Sequence, residues 1–194
     1  AYAVVRPGHT YGIERIPVGV YGHNGSYSVV RRIMEGRPVI MHGDGESLWT
    51  FTFNEDFAIG FVGLFGHHQA YGQAVHITSD ETLSWNTAYR IIGEAVGREV
   101  KFIHVASDRL IDLRPDLRGP LLGDKGVSVV FDNSKIKRLV PGFRCETRFD
   151  HGVRLALDHI AKHPELQTED PEFDLWCDRL AEKSLAFGRE FDRY

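Results

Sequence analysis

The chain has 194 residues, a mass of 22.0 kDa, 42% hydrophobic and 26% charged residues and a net charge of -4, with a pI near 6.2. That is enough chain for one domain with a real core, and ordinary composition for a globular protein. The acidic balance argues against nucleic acid or an anionic membrane surface as partner, and no apolar run approaches the length of a membrane span. Cys145 and Cys177 stand in no Cys-x-x-Cys pattern. A reduced, cytoplasmic setting is expected, with neither thiol acting as nucleophile or metal ligand.

In chain order, Tyr2 to Val5 reads as a strand that runs into Arg6-Pro7-Gly8 and a polar, aromatic turn through Gly12. A strand ending in Pro-Gly brings backbone to the carboxyl edge of a sheet, where open α/β folds bind ligands. Residues 12 to 25 form a glycine-containing loop, and Ser26 or Ser28 is a cap for a short helix through Val29, Val30, Ile33 and Met34. Val39 to Met41 is a strand, Gly43-Asp44-Gly45 a tight turn, and Trp49 to Phe53 an alternating strand. Asn54 is placed to cap a helix with Glu55 and Asp56 in its first turn and Phe57, Phe61, Leu64 and Phe65 as its apolar stripe.

Ala74 to Thr78 reads as a strand. Ser84 caps a helix with Tyr89, Ile92 and Val96 inward, closed by Gly97. Val100 to Val105 is a further strand, 106 to 126 irregular, Val127 to Phe131 extended, and Asn133 to Leu139 a short helix stopped by Pro141. Two amphipathic helices follow, at about 149 to 162 and 171 to 191. The last carries Phe173, Trp176, Cys177, Leu180, Phe187 and Phe191. Strands alternating with helices give an α/β or α+β class.

Four ordered segments resemble the C-terminal portion of the extended short-chain dehydrogenase/reductases, the NAD-dependent epimerase/dehydratase family. They are Val4-Val5-Arg6-Pro7-Gly8-His9-Thr10-Tyr11-Gly12, Pro38 to Gly45, Trp49 to Ala58, and Phe131 to Leu139 with Pro141-Gly142-Phe143. The resemblance implies an α/β fold: the edge of a Rossmann-type sheet, a small mixed α/β substrate-binding domain and C-terminal helices. Residues 1–12 would close the dinucleotide-binding domain and 13–194 form the substrate-binding domain. The sequence is expected to lack the family's Gly-x-x-Gly-x-x-Gly phosphate turn, and none of its seven tyrosines has Lys four residues on. It therefore reads as the C-terminal part of a larger enzyme, with no catalytic residue of its own. The alternative is a non-catalytic NAD(P)- or metabolite-binding regulatory module.

The resemblance further implies NAD or NADP as cofactor, a sugar-like alcohol or carbonyl as substrate, and homodimerisation through helices of the other half. Pro7, Gly8, His9 and Thr10 would lie against the nicotinamide, Pro7 as a rigid wall. Tyr11 and His42, each a flat body with a polar tip, are substrate-pocket candidates beside Lys125, where the family places a phosphate or sugar contact. Trp49 stands where many nucleotide-sugar members carry an Arg that grips the diphosphate, which argues for a smaller or less charged substrate. Gly22 to Gly25 is a candidate mobile loop. The ten histidines are read as holding no zinc pattern, so no metal is expected.

Overall fold

The computed structural model describes the backbone of residues 1–191 and the side chains of residues 1–186. Its first extended run serves two sheets. β1 (Val4–Pro7) pairs in parallel with β6 (Ala74–Ile77), Val4 opposite Ala74 and Pro7 opposite Ile77. One residue later β2 (His9–Tyr11) pairs in parallel with β5 (Phe51–Phe53), His9 opposite Phe51. Pro7 lacks an N–H and ends the first ladder. Gly8 occupies a crossing where a Cβ would meet Thr78 Cγ2 at 3.1 Å and the Thr50 carbonyl oxygen at 3.6 Å. β3 (Val39–His42) pairs in parallel with β8 (Phe102–Val105), and β4 (Leu48–Trp49) antiparallel with β7 (Leu83–Ser84).

A buried polar clamp holds the crossing. Thr78 donates through both its N–H and its hydroxyl to Asn133 Oδ1, and Asn133 Nδ2 donates to the Thr78 carbonyl at 2.7 Å. Ser79 N–H donates to Thr52 Oγ1 at 2.9 Å. The polar side chains of Asn133, Thr78 and Thr52 are each bonded, which fixes one geometry, while the buried hydroxyls of Thr50 and Thr10 beside the seam have no partner. Asn133, spent on these bonds, makes no side-chain cap for α6 (Ser134–Leu139).

Helix α1 (Tyr27–Met34) buries Val29, Val30 and Ile33 as expected, with Ser26 at its N-cap and Met34 half-exposed. α2 (Asn54–Gly63) departs from the reading. Its N-cap is Phe53, with Asn54 already in the first turn. Of the expected stripe Leu64 is buried, while Phe61 and Phe65 are exposed. The buried face is Asp56, Gly60 and Leu64. A Cβ at Gly60 would lie 2.8 Å from Ile77 Cγ2, and one at Gly63 2.5 Å from Val140 Cγ1. The glycines let the helix close on Ile77 of β6 and on Val140, which turns Phe61 and Phe65 outward, while Phe57 stays half-buried against the smaller core and stacks on Phe61 at 5.8 Å.

Helix α3 (Trp85–Ala95) is capped by Ser84, whose Oγ accepts from Thr87 N–H at 3.2 Å, and is followed by Gly97 at φ +69°. α4 (Ser107–Leu113) and α5 (Arg118–Pro120) lead into a wide turn over Leu121–Lys125. Residues 127–131 form no strand, although Val129 N–H donates to the Leu48 carbonyl.

The larger core joins β2, β3 and β5 to α1, α3, α7 (Phe149–Lys162) and α8 (Pro171–Phe191). The smaller one gathers Leu64, Val75, Ile77, Ile136 and Phe143, with Val5 packed against it. Sequence expectations for the Phe187 and Phe191 side chains lie outside the described residues. Helix α8 is locked by the fully buried Arg32, which donates to the Pro38 carbonyl, to Asp174 and, at 2.8 Å, to Asp178 Oδ1. Removing one partner of a buried ion pair leaves the other charge uncompensated. Arg32→Leu is therefore expected to lower the stability measured by urea unfolding by about 3 kcal/mol. A loss below about 1 kcal/mol would show that Arg31, which also contacts Asp174, and Arg37, which also contacts Asp178, compensate for it.

Candidate cofactor- and substrate-binding cleft

A cleft of about 420 Å³ opens at the carboxyl end of β1. Pro7, Gly8, His9 and Thr10 form one wall, with Trp49, Asp124 and Lys125 across from them and Arg15, Tyr21 and Phe131 completing the lining. Six of the eight residues singled out from the sequence thus meet in one place, at the sheet edge where α/β folds receive ligands. The other two do not line it. His42 is 1% exposed in the core. Tyr11 is 5% exposed, its ring against Phe53 and Phe149 and its hydroxyl over Gly152, so it is chiefly a core side chain bordering the neighbouring hollow.

The cleft residues are set by distant parts of the chain. Trp49 is positioned by the β4–β7 pairing, opposite Leu83. It is 6% exposed, and its Nε1–H has no hydrogen-bond partner. Lys125 ends the wide turn after α5, and its carbonyl accepts from Ser47 Oγ at 2.7 Å and lies 3.1 Å from His42 Nε2. The turn at 43–47 thus holds Lys125 in place, and the Lys125 Nζ donates to Asp124 Oδ2 at 3.2 Å. Thr10 spends its N–H on the Gly8 carbonyl, but its buried Oγ1 has no partner.

The electrostatics are those of a cationic site around neutral imidazole. Burial, with the charges of Lys125 and Arg15, pulls His9 from 6.5 down to about 4. Burial, with Lys125 again adverse, does the same to His42. Both rings are neutral at pH 7. Burial raises Tyr11, and the carboxylates of Glu81, Asp56 and Asp150 push the same way. Burial likewise raises Cys145 and Cys177 to about 12, so neither is a thiolate at neutral pH.

Two sequence readings need correction. The Gly-x-x-Gly-x-x-Gly spacing does occur, at Gly19, Gly22 and Gly25. Its surroundings are not those of a phosphate turn. A Cβ at Gly19 would meet the His42 ring at 2.8 Å, and one at Gly22 would collide with the Asp170 carboxylate and Phe173. Asn24 N–H donates to Asp170 Oδ2 at 3.1 Å, and backbone bonds from this turn and from Phe173 hold Asp170 below the usual carboxylate range. The turn's donors are spent on an internal anion, and the loop expected to be mobile is pinned to the start of α8. The histidines also include one i, i+4 pair, His159 and His163, with rings stacked at 3.8 Å and His163 Nδ1 2.7 Å from the His159 carbonyl. Among the described residues no three of His, Cys, Asp or Glu are placed to hold a metal ion.

Arg15, Tyr21, Asp124 and Phe131 were not singled out from sequence as cleft residues. Asp124 carried a signal in Gly-Asp-Lys-Gly; Arg15, in an irregular loop, carried none.

No family profile matches the chain. A 2'-dehydrokanamycin reductase from Streptomyces kanamyceticus is 25% identical over 109 residues, which is 56% of this chain and 31% of that protein. The structure resembles a UDP-glucuronic acid 4-epimerase from Bacillus cereus solved with UDP-glucuronic acid and NAD (TM-score 0.61, 17% identity, 82% of this chain and 45% of that one). It also resembles an epimerase from Methanothermobacter thermautotrophicus (TM-score 0.64, 18% identity, 84% and 44%). A third is RMD from Pseudomonas aeruginosa complexed with NADPH (TM-score 0.58, 12% identity, 83% and 48%). The chain thus has the mixed α/β fold of a portion of the NAD-dependent epimerases of the short-chain dehydrogenase/reductase family. It spans under half the length of these structures and about a third of the curated relative. Among the described residues no helix is long and apolar enough to cross a membrane.

The two lowered histidines make stability depend on pH. Their folded values near 4 lie below the unfolded 6.5, so as pH falls the unfolded chain takes up protons first. Stability should be full above pH 6.5 and fall between 6.5 and 4. His42→Gln should remove roughly half of that slope in the urea midpoint. An unchanged slope would mean that the buried ring accepts its proton without opening the fold.

Proposed function

We propose that this chain is the C-terminal, substrate-binding part of an NAD(P)-dependent oxidoreductase, epimerase or dehydratase acting on a sugar-like alcohol or carbonyl. The observation that carries the reading is the convergence of Pro7, Gly8, His9 and Thr10 with Trp49 and Lys125 in one cleft at the end of β1. The likeness to NAD- and NADPH-bound structures that extend to twice this length supports it.

The residues present suit a nicotinamide. Pro7 offers a rigid apolar surface without a competing N–H, and the Thr10 hydroxyl, buried and unpartnered, suits a carboxamide. When bound, the cofactor supplies hydride transfer. This chain's part is to seat the ring against Pro7 and Gly8, hold its amide at Thr10, and shape the substrate's side with Trp49 and Lys125. His9, neutral, adds no further positive charge to the site. By resemblance, the acid/base Tyr and Lys belong to the preceding part of a longer chain.

Two expectations follow for the complete protein. With sugar alcohols or ketosugars it should reduce NAD(P)+ or oxidise NAD(P)H, and Thr10→Val should raise the cofactor KM about fivefold, the worth of one hydrogen bond. No turnover across such a panel, with cofactor bound, would favour the regulatory module. Because Trp49 supplies no charge to a diphosphate, calorimetric titration with UDP should give no tight binding; a micromolar Kd would remove the argument from Trp49.

A further inference from the structure

The chemistry of the cleft wall narrows the ligand further, on the reading that substrate occupies this cleft. The groups available to a ligand are nearly all donors. Trp49 Nε1–H is buried and unpartnered, and an indole N–H can only donate. Thr10 Oγ1, also unpartnered in the lining, is taken by the nicotinamide amide on that reading and is not available to the substrate. Lys125 is 6% exposed, and its ammonium meets one carboxylate oxygen of Asp124, which leaves further donor capacity. Arg15 has no carboxylate partner among the described residues, and its guanidinium lies 5.9 Å from the Tyr21 ring centre.

Against these stand the Asp124 carboxylate, with one oxygen engaged by Lys125, the neutral His9 ring and the Tyr21 hydroxyl, which can act either way. Burial chiefly keeps the His9 ring neutral, with Lys125 and Arg15 acting the same way and Asp124 opposing them. A polyol hydroxyl donates as well as accepts and would find few acceptors here. An oxyanion only accepts, and carries the charge that Lys125 and Arg15 would balance.

We infer that the cleft recognises an oxyanion, carboxylate or phosphate monoester, on a compact, sugar-sized ligand, with Lys125 and Arg15 meeting its charge and Trp49 Nε1–H one of its remaining lone pairs. Trp49 thereby serves as a neutral donor at a position where an arginine would favour a diphosphate.

The test is calorimetric titration of the complete protein, saturated with NAD(P)H, with D-glucuronate, D-glucose 6-phosphate, D-glucose and UDP. Glucuronate or glucose 6-phosphate should bind at least about tenfold more tightly than glucose, as one hydrogen-bonded charge pair requires. The better of the two identifies the oxyanion. Lys125→Met should bring that ratio close to one, and Arg15→Gln, at an exposed position, should lower it severalfold if Lys125→Met fails to fold. Glucose binding as well as both acids, or UDP binding better than either, overturns the inference. Failure of NAD(P)H itself to bind instead overturns the proposed function, and the same titrations without cofactor still read the preference for the acids.

Discussion

The close crossing at Gly8 is the constraint on which the rest of the molecule depends. A single extended run must leave the β1–β6 ladder and enter the β2–β5 ladder with one residue between. Glycine eases that crossing, because a Cβ there would press on the Thr78 methyl at 3.1 Å and touch the Thr50 carbonyl oxygen. Pro7 stops the first ladder by withholding a donor, and Gly8 makes room for the second. The cleft exists because the two sheets diverge there.

A crossing this tight buries backbone polar groups, and the seam of Asn133, Thr78, Ser79 and Thr52 satisfies them. A buried amide that is fully bonded specifies one arrangement, whereas the same amide half-bonded would weaken it. The cleft's far wall is held with comparable economy. His42 and Ser47 both engage the Lys125 carbonyl, so a lysine far along the chain is fixed opposite Pro7 through main-chain oxygen rather than through its own charge. Its ammonium, bonded to Asp124, keeps donors for the cleft.

Much of this was legible in the sequence. The Pro-Gly ending of β1, the Ser84 cap and the two late helices each rest on local chemistry that tertiary packing left alone, whereas Trp49 to Phe53, read as one alternating strand, is split at Thr50 between two ladders and buried throughout. The misreadings share one cause. On α2, Phe57, Phe61 and Phe65 gave a convincing stripe, but close approach at Gly60 and Gly63 turned the glycine face inward. Asn54 looked like a cap, but the helix there began a residue earlier, and Asn133, read as the first residue of its helix, was taken by a long-range clamp. Tyr11 and His42 have polar tips suited to a pocket, yet their rings were worth more in the core. The glycine spacing at 19, 22 and 25 was overlooked, and only its contact with Asp170 shows which anion its turn serves. Arg15 joined the cleft through a loop whose path no local pattern encodes.

The central claim is that the divergence of the two sheets at Pro7 and Gly8 makes the seat for a nicotinamide. A crystal structure of the complete protein with bound NAD(P)H tests it most directly. The account predicts the nicotinamide ring in van der Waals contact with Pro7 and its carboxamide within hydrogen-bond distance of Thr10. A cofactor bound elsewhere, with the cleft at Pro7 to Thr10 left to solvent, would contradict it.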